Sequence, residues 1–144
     1  MEIAETDWEE IQERASEIAE AALAGDMGRM QALKSGLMQR LEDLANQYGP
    51  NPALLGVRAE YTDDAGERLA LCQKAYVLAE QGGDSESLTM LSHSLAELYI
   101  EEFHDAANGN RWLARLEANL RACHSDFEAG EYGRLRKALE KLRI

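Results

Sequence analysis

"GERLALCQKAYVLAEQGGDSESLTMLSHSLAELYIEE", residues 66–102, is the stretch that decides the fold. In its first half Leu69, Cys72, Ala75, Tyr76 and Ala79 recur three and four apart, which puts them on one side of a helix. In its second half Leu88, Leu91, Leu95, Leu98 and Tyr99 do the same. Between them "QGGD" stops one helix at its glycines, and Asp84 or Ser85 can cap the next. Two one-sided helices joined by so short a stop predict an antiparallel hairpin.

The spacing persists in both directions. Trp8, Ile11, Ala15, Ile18 and Ala22 predict a first helix ended by Gly25, and Met27, Met30, Leu33, Leu37, Leu41 and Leu44 a second. Pro50 and Pro52 in "QYGPNP" cannot continue it. A shorter helix follows over Ala53 to Tyr61, and "TDDAGE" caps the opening hairpin. Beyond "HDAANGN", Leu113, Leu116, Leu120, Cys123 and Phe127 predict a sixth helix, interrupted at Gly130, and Tyr132, Leu135, Leu139 and Leu142 a seventh. The expectation is an all-α protein, an irregular array of about seven antiparallel helices in one domain over residues 1–144. Breaks are expected near Gly25, residues 49–52, Gly83, Gly109 and Gly130. "AGDMGRM" at residues 24–30 returns as "AGEYGRL" at 129–135, and both read as one helix-hairpin turn. The copies fall in different phases of the helix pairs, which argues against a regular solenoid.

Charge is uneven. Residues 1–108 hold 22 acids and 7 bases, a net of −15, whereas residues 109–144 hold 5 acids and 8 bases, a net of +3. An acidic body repels nucleic acid and anionic lipid and attracts basic surfaces, although the same acids also serve solubility. No direct nucleic-acid binding and no membrane partner are expected; the basic tail "RLRKALEKLR" reads as a helical cap. The opening "MEIAETDWEE" is acidic where a targeting signal would be basic, so a cytoplasmic protein is expected. Cys72 and Cys123 lack metal or disulfide spacing and read as small buried hydrophobes.

Chemistry-bearing patterns are few. His93, Glu97, Glu101 and His104 stand four, four and three apart, and "EEFH" holds a Glu-x-x-His pair. Di-iron bundles need a second such pair, which the chain lacks, so the stripe reads as a solvated or partner-contact face and no metal is expected. There is no G-x-S-x-G turn and no Gly-Lys-Ser/Thr ending to a glycine-rich loop. No catalytic residue and no cofactor follow. Asp63, Asp64 and Glu67 suit a helix start; with Glu97, Glu101, Glu102 and Asp105 they can also present an acidic surface to a basic protein. Tyr61 and Trp112 are then either aromatic anchors or core.

Residues 66–102 resemble tetratricopeptide-type repeats, with Leu95, Ala96 and Tyr99 in the family's Leu, small residue, Tyr pattern and Ala75 at a close-packing position. Arg68, "QGGD" and Phe103 depart from that pattern, so the resemblance implies tetratricopeptide-like hairpins without a regular superhelix. "RLALCQKAYVLAE" and "LTMLSHSLAELYIEE" are also similar to small acidic helical immunity proteins of bacterial polymorphic toxin systems. That similarity implies a non-enzymatic partner that neutralises a basic toxin domain by occluding its active or substrate-binding surface. A peptide-binding scaffold or chaperone is the alternative in the same class, and a helical-bundle enzyme or metal-binding protein the alternative in another.

Overall fold

Side chains of Asp, Asn and Ser decide where the helices begin. The computed structural model describes residues 2–143; Met1 and Ile144, the two ends of the expected unit, lie outside the described residues. The helices are α1 (Glu5–Leu23), α2 (Met27–Tyr48), α3 (Pro52–Glu60), α4 (Ala65–Gly82), α5 (Ser85–Glu97), α6 (Ala106–Ala122) and α7 (Asp126–Leu142), and α5 runs on into a π-helical turn, Leu98–Glu102. No strand occurs among the described residues. From α2 onward each helix starts on a capping side chain: Asp26, Asn51, Asp64, Asp84, Asp105 and Ser125 each accept a hydrogen bond from a backbone N–H of the first turn. Such a cap replaces a partner that the helix itself cannot provide.

Helix stops are equally local. Gly25 has φ +73°, its N–H donates to Ala22 O and the Asp26 N–H to Ala21 O, the paired bonds that close a helix through a left-handed residue. Gly83 repeats the arrangement at the end of α4, with Asp84 N–H donating to Ala79 O.

Two expected breaks move. "AGEYGRL" is not a turn: α7 starts at Asp126, capped by Ser125, and runs unbroken through Gly130. The reason lies in one methylene. In the first copy Asp26 Oδ1 reaches the Arg29 N–H at 3.0 Å and caps α2, whereas the second copy has Glu131, too long for that role. Its carboxylate reaches across to α5 instead. Phe127 therefore belongs to α7 and is exposed, not part of the α6 stripe. Gly109 is likewise inside α6, whose break falls earlier, at Asp105. The glycine is there for proximity: a Cβ on it would stand 2.5 Å from Ile100 Cγ1, so its absence lets α6 lie against the π-turn.

Packing follows chain order, with α5 in the middle touching α3, α4, α6 and α7. Ile11, Ile18, Leu37, Leu41, Leu44 and Leu54 form one buried cluster between α1, α2 and α3. A second joins α4 to α7 through Tyr76, Leu91, Leu95, Leu113, Leu116, Leu135 and Leu139, and takes in Ala59 of α3. The short α3 thus serves both cores. Cys72 is buried, and burial pushes its thiol up to about 11, while Cys123 is half-buried at the end of α6. Polar ties reinforce the seams: Arg40 of α2 pairs with Asp7 and Glu10 of α1, and the Asn119 side-chain amide donates to Ser92 Oγ, Leu88 O and Tyr76 Oη.

Candidate interaction surface

The expected acidic face divides into parts with different duties. At the turn from α3 to α4, Asp64 accepts the Glu67 N–H at 2.9 Å and Asp63 pairs with Lys34 of α2. Asp63 and Glu67 remain exposed, and Tyr61 is half-buried against the N-terminal core, where burial raises its phenol. Asp105 caps α6; its bonds from the Asn108 backbone and side chain hold its carboxyl below the usual range. Glu102 and His104 are exposed beside it, and His104 has φ +50°, a left-handed residue closing the π-turn. Trp112 is not an accessible anchor. It is 8% exposed and packs edge-on against Tyr76 with ring centroids 4.8 Å apart, while Arg115 covers its face at 4.5 Å.

The stripe is only partly a solvated face: His93 and Glu97 are half-buried, whereas Glu101 and His104 are exposed. Its first three members meet α7, whereas His104 lies beyond the π-turn and is exposed. His93 Nε2 lies 3.1 Å from Glu131 Oε1, and the Arg134 guanidinium bonds Glu97, Glu101 and Glu131 together. That guanidinium is the first cause of a lowered Glu131 carboxyl, and the pairing raises Arg134 in return. Glu128 is buried behind the imidazole, and burial holds its carboxyl above the usual value. The chain has no second Glu-x-x-His pair, but α7 brings Glu128 and Glu131 against His93 of this stripe. The signal was in the sequence: "SDFE" at 125–128 carries the Ser-x-x-Glu pattern of a helix start, and a helix beginning there puts Glu128 and Glu131 on one side.

A concavity also borders α5, and Glu97 of the stripe is among the residues that line it. A groove of about 600 Å³ runs between α3 and α5, with Trp8 of α1 at one end and Cys72 of α4 in its wall. Pro52, Val57, Met90 and Leu98 give it apolar surface, and Met90 is 52% exposed. Its charged residues are Glu60, Asp84, Glu86 and Glu97 against Arg68. Asp84 is committed to capping α5, whereas Glu60 and Glu86 are exposed. These two and Met90 are the residues that sequence reasoning missed, because periodicity marks what is buried and not which exposed residues border a hollow. Among the described residues, no helix is long and apolar enough to cross a membrane. Compared with models of known protein families, with curated proteins and with solved structures, the chain matches none.

Proposed function

We propose that this chain is a non-enzymatic protein-binding module that receives a basic protein surface, in the manner of an immunity protein holding a toxin domain inactive. The observation that carries the reading is the α3–α5 groove, which combines apolar surface from Pro52, Val57 and Met90 with a four-to-one excess of acids. A basic segment with an apolar residue at its centre fits such a surface: charge steers the encounter and the apolar contact slows dissociation. A domain that acts on nucleic acid carries a basic cleft, and Glu60, Glu86, Asp63 and Glu67 stand in for the phosphates it holds. Occlusion needs no catalytic side chain. In this reading the chain is a cytoplasmic protein with tetratricopeptide-like hairpins as its scaffold.

Capture of the partner by tagged chain, identified by mass spectrometry and followed by binding kinetics, tests the reading. The association rate should fall steeply with salt, and Glu60→Lys with Glu86→Lys should lower it about tenfold at low salt with little change in dissociation. An association rate unmoved by this pair and by the reversal of Asp63 and Glu67 refutes the acidic-surface mechanism. The concavity of the groove favours a second reading, a cradle for a peptide. A short basic peptide from the partner that binds as tightly as the whole domain establishes it.

A further inference from the structure

The contact between α5 and α7 gathers more negative charge than its bases offset. Glu97 and Glu101 meet Glu128 and Glu131 beside a single guanidinium, Arg134, and the imidazole of His93. Four carboxylates against one guanidinium leave a net of −3 with the imidazole neutral. One donor atom from each of His93, Glu97 and Glu131 lies within 4.8 Å of the others. His93 Nε2 is 3.1 Å from Glu131 Oε1 and 3.8 Å from Glu97 Oε2. Donors around a four-coordinate zinc, at bond lengths of about 2.1 Å, stand about 3.4 Å apart, so small side-chain rotations make the three converge.

Glu128 supplies an independent sign. It is 7% exposed, and its Oε2 has no hydrogen-bond partner among the described residues. That oxygen is directed at His93, 3.0 Å from Nδ1 but off the line of the ring N–H. An unsatisfied carboxylate oxygen in so buried a place is costly, and the back of an imidazole is where metal-binding histidines keep a carboxylate. We propose that His93 through Nε2, Glu97 and Glu131 bind one divalent transition-metal ion of the zinc or manganese type, with Glu128 accepting the Nδ1–H behind the ring.

One imidazole and two carboxylates form a mixed nitrogen and oxygen set, which suits these ions and not calcium, an all-oxygen binder. The ion brings the local charge from −3 to −1 and clamps α7 onto α5. Arg134 keeps Glu131 Oε2 through Nε at 2.9 Å and Glu97 Oε2 through Nη2 at 2.7 Å; the ion takes the place of the Nη2 contact with Glu131 Oε1 at 3.0 Å, and rotation of the Glu97 carboxylate turns its other oxygen to the ion. His104 and Glu101 take no part: the first is exposed beyond the π-turn and the second is paired with Arg134 alone.

The test uses the full chain stripped with chelator and titrated calorimetrically with zinc chloride and with manganese chloride, and needs no protein partner. One of the two ions should bind at one equivalent and raise Tm. His93→Ala and Glu131→Gln should each weaken it at least tenfold and Glu128→Gln by 10–100-fold as an outer partner, on the order measured for such shells. Cys123→Ser and His124→Ala should leave it unchanged. If His93→Ala loses helicity, Glu97→Gln replaces it, and cobalt(II) absorption of the unmodified chain reports the ligands. The proposal is overturned if neither ion binds at one equivalent, if binding survives Glu97→Gln and Glu131→Gln within twofold, or if the cobalt spectrum shows thiolate ligation.

Discussion

The two copies of one heptapeptide pattern make opposite demands on their glycines, and alanine substitution separates them. In "AGDMGRM" Gly25 closes α1 at φ +73°. A Cβ there meets no atom within 4 Å, so the cost of Gly25→Ala is backbone strain alone. Left-handed geometry costs an alanine roughly 1–2 kcal/mol. The stiffer unfolded chain returns about 0.4–1 kcal/mol, for a net loss of about 1 kcal/mol. In "AGEYGRL" Gly130 sits inside α7 with nothing within 4 Å of its Cβ position. There alanine removes only the helix penalty of glycine, a gain of roughly 0.5–1 kcal/mol. The variants should differ by about 2 kcal/mol, or about 6 °C in Tm for a chain of this size. Urea titration and thermal melts followed by circular dichroism measure both, with m unchanged to show that the unfolded states remain comparable. A Gly130→Ala variant less stable than the parent by more than about 0.5 kcal/mol would return the second copy to a turn and refute the continuous α7.

Three further outcomes are expected. Gly109→Ala should destabilise by roughly 1–3 kcal/mol of overpacking less about 1 kcal/mol of helix propensity, because its Cβ stands 2.5 Å from Ile100 Cγ1; a gain on chemical denaturation would mean that the π-turn moves aside freely. Leu95→Ala, at a fully buried position, should cost about 2–5 kcal/mol by the same measurement. Glu128→Gln should gain on the parent as pH rises above 4.5 in metal-free buffer. Burial first, then Glu131 and Glu97, raise this carboxyl against the opposing pull of His93, so the folded parent binds its proton more tightly than the unfolded chain. That contribution is complete below 4.5 and is lost as pH climbs through the raised value, whereas glutamine has no proton to lose. Melting both proteins from pH 4 to pH 8 checks the sign, and a gap that closes with rising pH would contradict it.

The helices were legible because burial imposes a period. Leu88, Leu91, Leu95 and Leu98 point one way since α4 and α6 lie there, and the spacing of apolar residues records it without reference to any partner. The misplaced breaks share a cause. Glycine alone does not distinguish a left-handed stop from a close approach or from an interior helical position, and Gly25, Gly109 and Gly130 are one of each. The neighbouring cap distinguishes them: Asp26, Asp105 and Ser125 each offer a short side-chain acceptor to the first turn, and the helix starts there. Reading caps before glycines places every helix start from α2 to α7.

The polar site was legible only in part, for the complementary reason. Period locates an apolar face, but an α-helix in the middle of an array has more than one buried side. α5 lies against α7 through His93 and Glu97 as well as against α4 and α6 through its leucines. A polar stripe opposite the leucines therefore looks solvated until the seventh helix is placed. Its placement depends on whether Gly130 stops a helix. Once α7 is continuous from Asp126, Glu128, Glu131 and Arg134 fall three apart on the side facing α5, and the sparse metal pattern of one helix acquires its second half. The capping geometry at Ser125 thus decides both where the last helix starts and which residues form the polar cluster between α5 and α7.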